Sequence, residues 1–123
     1  MNNLLQYVIS QKTQILDLLV QHIYLTITAI GIAILIGVPL GILVSRVKFL
    51  RKPILGFVNL VQAVPSMALL GLLIPILGIG STPAIFMVVV YSLLPIVKNT
   101  YTGISGIDPV VLESAKGIGL TKN

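Results

Sequence analysis

Very few side chains in this sequence could take part in acid–base, metal or nucleophilic chemistry. Its 123 residues include one histidine, three carboxylates and no cysteine. His22 has no partner spaced to share a metal ion with it, so we interpret it as an interfacial polar residue. The sequence also lacks the GxxxxGK[ST] loop that cradles nucleotide phosphates. It therefore predicts no catalytic residue, no metal site, no cofactor and no P-loop ATPase activity of its own.

Uncharged polar side chains could instead donate and accept hydrogen bonds without carrying a charge. Asn59, Gln62 and Ser66 are spaced i, i+3, i+7 beside Pro65 and would share one face of a helix. They could line a substrate path. They could equally form hydrogen bonds between membrane helices, worth about 0.6–2 kcal/mol each. The spacing alone leaves both interpretations open.

The composition indicates the solvent in which these residues work. Hydrophobic residues make up 56% of the chain and charged residues 9%, with a mean hydropathy of +1.07. A typical soluble domain is about 25% charged. So few charges cannot coat a soluble protein of this size, which excludes a cytosolic enzyme. The high hydrophobic content excludes a disordered chain, and the absence of cysteine excludes a disulfide mini-protein. The composition predicts an all-α membrane protein.

Uncharged runs locate the membrane spans. One run covers 28 residues, 18–45, and another covers 45 residues, 53–97. A spanning helix needs about 20 apolar residues, so the longer run suits two spans. Its natural break is the turn-forming stretch 78–83. We therefore predict transmembrane helices over 23–44, 55–77 and 84–101, with kinks near Pro39 and Pro65.

Basic residues give the orientation. Four of them fall within seven positions and no acid lies among them: Arg46, Lys48, Arg51 and Lys52. By the positive-inside rule the 46–52 loop is cytoplasmic, the uncharged 78–82 turn is outside, the N-terminus is outside and 103–123 is cytoplasmic. The charges sit at span ends and not on one soluble face, so nucleic acid is not an expected partner.

The first 20 residues are amphipathic, with Leu4, Leu5 and Val8 recurring at helical spacing among polar residues. This pattern predicts an external interfacial helix over 1–20 that leads into the first span. A cleaved signal peptide is not indicated, because the segment has no basic start and no short apolar core before a small-residue cleavage site.

Two features of the spans bear on competing functions. Gly37 and Gly41 form a GxxxG pattern, which indicates close packing against another span of the chain or, alternatively, an oligomer interface. No span contains Asp or Glu, and a proton-coupled small multidrug-type transporter needs such a group. The sequence therefore disfavours that transporter class.

The C-terminal segment has strong local signals for a helix over 108–119. Asp108 is a good N-cap, Pro109 suits the first helical position and Gly119 can end the helix. Such a short helix is not stable alone in water, so it needs a surface to dock on. That surface is either the chain's own span ends or a groove of another protein.

These residues resemble a known family. Glu113-Ser-Ala115 followed by Gly119 is similar to the E-A-A-x-x-x-G signature of permease subunits of ATP-binding-cassette importers, with Ser114 in place of the first alanine. Upstream, four further stretches resemble the osmoprotectant branch, which imports glycine betaine, carnitine and choline: 62–66, 77–80, 91–100 and 106–109.

The resemblance implies a partial importer-permease fold: three transmembrane helices, an interfacial helix before them and a cytoplasmic coupling helix after them. Glu113, Ser114, Ala115 and Gly119 would contact a separate ATPase subunit. The other implied partners are a second permease subunit, an extracellular substrate-binding protein and the lipids of a bacterial cell membrane. Apart from the resemblance, the shared helix face of Asn59, Gln62 and Ser66, together with Tyr91 as an aromatic residue deep in the third span, is the candidate translocation path.

The resemblance also implies an Ile-x-Leu-Pro sequence and further spans after Gly119, so the sequence is expected to be the N-terminal part of a permease. The alternative function is a small membrane interaction protein that oligomerises through Gly37 and Gly41 and transports nothing.

Overall fold

The computed structural model describes residues 2–120, and every regular element in that range is helical. The helices are α1 Asn2–Ser10, α2 Lys12–Arg46, α3 Lys48–Ala63, α4 Ser66–Leu77, α5 Ser81–Ser105 and α6 Pro109–Gly117. The all-helical fold predicted from composition is therefore confirmed for the described residues. Two helices, α2 and α5, are long and apolar enough to cross a membrane, and a third crossing is available if α3 and α4 together form one span.

The first long helix begins earlier than the predicted span. Residues 12–20, predicted to belong to a separate interfacial helix, continue without interruption into α2, and only α1 stands apart. No proline or glycine lies between Gln11 and Ile30 to stop the helix. At 35 residues, α2 is about 52 Å long and exceeds the ~30 Å hydrocarbon core of a bilayer. It also runs unbroken through Pro39.

The segment predicted as a single span over 55–77 is two helices bent by 92° at a short break. Val64 is extended at φ −75°, ψ 129°, the conformation that a following proline favours. Pro65 then has no N–H to continue the hydrogen-bond ladder. With 16 and 12 residues, α3 and α4 are about 24 and 18 Å long, so neither crosses the core alone.

The turn between α4 and α5 depends on glycine. Gly78 and Gly80 have φ values of +82° and +137°, which side chains with a Cβ rarely adopt. The predicted break at 78–83 is therefore where the chain turns, and α5 begins at Ser81 with Pro83 in its first turn.

The core is formed by α2 and α5, which run parallel. Gly37 lies beside Leu93 and Ile96, and one turn further on Gly41 lies beside Val97 and Thr100. Small residues allow this approach, since the buried part of α2 consists of Ala29, Ala33, Gly37, Gly41 and Val44. Because both helices advance in the same direction, the chain between Arg46 and Ser81 must travel back toward the starting side.

Candidate functional site

The C-terminal helix α6 starts as its sequence predicts. The Asp108 carboxylate accepts a hydrogen bond from the Val110 N–H at 2.9 Å, and Pro109 occupies the first helical position. The carboxylate satisfies one of the free N–H groups of the first turn, and the proline has no N–H that would need a partner.

Gly119 ends the same helix in the left-handed conformation, with φ +88°. Its N–H donates to the Lys116 carbonyl at 3.0 Å, and the Leu120 N–H donates to the Ala115 carbonyl at 3.0 Å. This pair of bonds is a Schellman motif, in which a glycine reverses the chain and satisfies the last carbonyls. The glycine of the signature therefore has a backbone role at this position.

The signature residues of α6 lie at the surface of the protein. Glu113 and Ser114 are exposed and Ala115 is half-buried. The Ser114 hydroxyl donates to the Val110 carbonyl at 2.9 Å within the helix. That bond occupies the one polar group that distinguishes Ser114 from the alanine of the signature that this segment resembles.

Large apolar side chains of α6 and of its C-cap are exposed in the part of the chain that is described. Val111 is 59% exposed and Ile118 is 80% exposed. α6 makes no extended contact with another helix among residues 2–120. Docking onto the chain's own span ends, one of the two interpretations of this helix, is therefore not what the structure shows.

The break between α3 and α4 is held by α5. The Tyr91 hydroxyl donates a hydrogen bond to the Val64 carbonyl, which has left the helical ladder at the bend. In the reverse direction, the Gln62 side-chain amide reaches the Tyr91 carbonyl at 3.5 Å. Tyr91 is half-buried. We call these three residues the bend lock.

A proline explains why the Tyr91 carbonyl can accept from Gln62. In an α-helix this carbonyl would accept from the N–H four positions later, and that position is Pro95, which has no N–H. An apolar membrane interior makes an unpaired carbonyl costly. The bend lock therefore satisfies the Val64 carbonyl, which the bend removes from the helical ladder, and the Tyr91 carbonyl, which Pro95 leaves without its usual donor.

The other two polar residues of the predicted face lie elsewhere. Asn59 is exposed on α3, and Ser66 is the first residue of α4, beyond the bend. The bend interrupts the continuous face that the i, i+3, i+7 spacing predicts for an unbroken helix. The structure thus brings Gln62 and Tyr91 together and leaves Asn59 and Ser66 apart from them.

An apolar cavity of about 360 Å³ lies between α3, α4 and α5. Its lining contains none of the predicted path residues and consists of Phe57, Val58, Val61, Leu69, Phe86, Val90 and Leu93. It therefore offers no hydrogen-bonding group that could select a substrate.

The glycines of the GxxxG pattern face α5. A Cβ built on Gly37 would lie 2.7 Å from Ile96 Cγ2, and one on Gly41 would lie 2.5 Å from Thr100 Cβ. Both glycines are buried. Their face is therefore occupied within the chain and is not available to a second copy.

Comparison with known proteins gives the family. Residues 29–123 match the family described as binding-protein-dependent transport system inner membrane component. The chain belongs to this family. It is 42% identical over 121 residues to the glycine betaine/carnitine/choline transport system permease protein OpuCB of Bacillus subtilis (strain 168), covering 98% of the chain and 56% of that relative.

Two further members of the family are similarly close. The choline transport system permease protein OpuBB of the same strain is 41% identical over 121 residues, with 98% of this chain and 56% of that relative covered. The osmoprotectant import permease protein OsmW of Salmonella typhimurium is 43% identical over 122 residues, with coverages of 95% and 57%. The chain thus spans a little over half the length of these relatives.

Sequence reasoning missed some of the residues that build this site. The pairing of Tyr91 with Val64 joins positions 27 apart, and no local pattern indicates it. The freed carbonyl of Tyr91 had a usable signal, because Pro95 stands four positions after it.

Proposed function

We propose that this chain is part of the transmembrane subunit of an ATP-driven importer for osmoprotectants of the glycine betaine, carnitine and choline type. It would form part of the translocation path and couple it to a separate ATPase. The observation that carries this proposal is α6, a helix that is capped at both ends. Its Glu113 and its apolar side chains are exposed on the protein surface. The names of the three relatives supply the substrate class.

The coupling role follows from the energetics of α6. A helix of nine residues is too short to be stable in water on its own side-chain interactions. Its cap and its Schellman motif fix where it starts and ends, and its exposed apolar residues gain from burial in a groove. We assign the contact with the ATPase to Glu113, Ser114 and Ala115, with Gly119 setting the end of the docked helix.

The proposed topology has three crossings, with α3 and α4 together as the middle one. The parallel arrangement of α2 and α5 supports it, because a re-entrant loop would return the chain to the side that it had left. The basic residues at 46–52 assign that end to the cytoplasm, so α1 lies outside as an interfacial helix and α6 lies in the cytoplasm of a bacterial cell.

In this arrangement a second permease subunit completes the path and an extracellular binding protein delivers the substrate. Asn59, Gln62, Ser66 and Tyr91 are assigned to the path, with Gln62 and Tyr91 at the bend. Because the neighbouring cavity is apolar, we assign most of the selectivity to the binding protein. ATP hydrolysis belongs to the partner ATPase, in keeping with the absence of a P-loop motif in this sequence.

The alternative, an oligomeric interaction protein without transport, needs a free GxxxG face. Gly37 and Gly41 are buried against α5, so the alternative lacks the surface that motivated it.

Substitutions in α6 test the coupling role. We expect Glu113→Lys and Gly119→Val to reduce co-purification of the partner ATPase by about tenfold. A valine at φ +88° costs about 1–2 kcal/mol, which is a factor of roughly 5 to 30 in the population of the docked conformation. The measurement is the ratio of ATPase to permease after co-expression and affinity purification from membranes.

Matched controls are available for both changes. Asp17→Lys makes the same reversal of charge at an exposed position of α2, and Gly103→Val introduces the same side chain where no atom lies within 4 Å. Both controls should retain the ATPase. Equal retention of the ATPase by the α6 variants and the controls would rule out docking through this helix.

A further inference from the structure

Four basic side chains meet where α2 ends and α3 begins. α2 ends at Arg46 and α3 begins at Lys48, with Val47 alone between them. Arg51 and Lys52 follow within the first turn and a half of α3. We call Arg46, Lys48, Arg51 and Lys52 the basic corner.

No carboxylate compensates these charges along the chain, because the sequence has no Asp or Glu between Asp17 and Asp108. Asp17 lies 29 positions before Arg46 on the same helix, about 44 Å away along its axis. Hydrogen bonds between described residues do not involve any side chain of the basic corner.

The geometry of α3 makes this arrangement unfavourable in the absence of an anion. Lys48, Arg51 and Lys52 are at i, i+3 and i+4, so their like charges share one face of the helix. They also stand at the positive end of the helix dipole, where cations are disfavoured. Val47, at the N-cap, has no side-chain acceptor for the free N–H groups. A bound anion would offset all of these repulsions together.

Arg51 is held in position to bind an anion. Its guanidinium carbon lies 4.7 Å from the centroid of the Tyr101 ring on α5. Its Nε is buried without a hydrogen-bond partner among the described residues. This contact with the ring uses none of the N–H donors of the guanidinium, and the planar fork of an arginine matches the oxygens of a phosphate.

An apolar residue stands among these cations. Phe49 is 85% exposed although it follows Lys48 directly. α2 is a candidate span that ends at Arg46, and basic residues at the end of a span reach the level of the lipid headgroups. A ligand with a phosphate and an adjoining hydrocarbon chain fits both the cations and the exposed ring.

We propose that the basic corner binds the phosphate of an anionic phospholipid, with Arg51 as the fork and Phe49 against the acyl chain. The proposal rests on the end of α2 at the membrane surface. It does not depend on the assignment of α6, on the substrate or on the direction of transport, so it can fail while the proposed function stands.

Lipid binding to the purified full chain in a neutral detergent tests this, with native mass spectrometry as the readout. The probes are phosphatidylglycerol, phosphatidylcholine and inorganic phosphate. Each cation near an anionic lipid surface is worth about a fivefold gain in affinity, so Lys48→Gln/Lys52→Gln should bind phosphatidylglycerol about 25-fold more weakly than the unmodified chain. Lys12→Gln, at the other end of α2, should bind as the unmodified chain does.

Arg51→Lys keeps a positive charge at the basic corner and removes the planar guanidinium, so it tests the geometry of Arg51 separately from its charge. Weaker phosphatidylglycerol binding in Arg51→Lys, with the helical circular dichroism unchanged, supports the fork. Three results overturn the proposal: equal binding of phosphatidylglycerol and phosphatidylcholine, binding unchanged in the double variant, or inorganic phosphate binding as tightly as the lipid.

Discussion

Replacing Gly41 with valine is expected to destabilise the fold by about 1–3 kcal/mol, the cost of forcing extra atoms into a packed interface. A Cβ at this position would lie 2.5 Å from Thr100 Cβ and 3.0 Å from the Val97 carbonyl oxygen. Neither atom is the far end of a flexible side chain, so the helices themselves must separate. The loss is measured as the shift in the unfolding transition of the chain in detergent micelles.

Gly31 provides the control on the same helix. A Cβ there meets nothing within 4 Å, so Gly31→Ala should leave stability unchanged or raise it by up to about 1 kcal/mol through helix propensity. Close packing of α2 on α5 would be contradicted if Gly41→Val and Gly31→Ala unfolded at the same point as the unmodified chain.

The second large effect is expected at the bend lock. Tyr91→Phe keeps the ring and removes the hydroxyl that donates to the Val64 carbonyl. A carbonyl left unpaired in an apolar surrounding costs about 1–3 kcal/mol. Tyr24→Phe, at a side chain that is 67% exposed, is the matched change and should have little effect. The same unfolding measurement compares the two variants.

The reverse bond of the bend lock has a sharper test. Gln62→Leu should destabilise the chain, because the Tyr91 carbonyl loses the only side chain that reaches it among the described residues. In a Pro95→Ala background an N–H is restored four positions after Tyr91, so Gln62→Leu should cost less there. An equal cost of Gln62→Leu in both backgrounds would show that Pro95 is not the reason for this contact.

In the topology proposed above, the bend lock lies within the middle crossing. A bend of 92° within a crossing exposes backbone groups in an apolar layer, which is tolerated where other groups re-satisfy them. The bend lock does this from α5, the helix that leads toward α6. A change in the position of α5 would therefore alter the hydrogen bonds at the bend.

Local signals in the sequence were sufficient for some elements. The bounds of α6 follow from Asp108, Pro109 and Gly119, each of which acts on the backbone within a few residues of itself. The turn after α4 follows in the same way from Gly78 and Gly80. Such signals act within a few residues, so they can be recognised without knowing which helices pack against one another.

Other elements depend on distant contacts, and for these the sequence reading was incomplete. Pro65 indicated a kink, but the proline alone does not determine a bend of 92°, and the bend also involves Tyr91 from 27 positions away. Arg51 and Tyr101 are 50 positions apart and show no shared pattern. Residues 12–20 have the amphipathic pattern of an interfacial helix. Because no proline or glycine stops the helix there, these residues continue into α2.

The proposed contact between α6 and an ATPase on the cytoplasmic side is tested most directly by cross-linking. The 123 residues contain no cysteine, so Glu113→Cys and Gln6→Cys each introduce a single thiol into them. Both variants are co-expressed with the ATPase and treated, in inside-out membrane vesicles, with a short cross-linker that joins the new thiol to a lysine amine of the ATPase. We predict a permease–ATPase cross-link for Glu113→Cys and none for Gln6→Cys. A cross-link from Gln6→Cys with none from Glu113→Cys would contradict both the coupling role and the orientation.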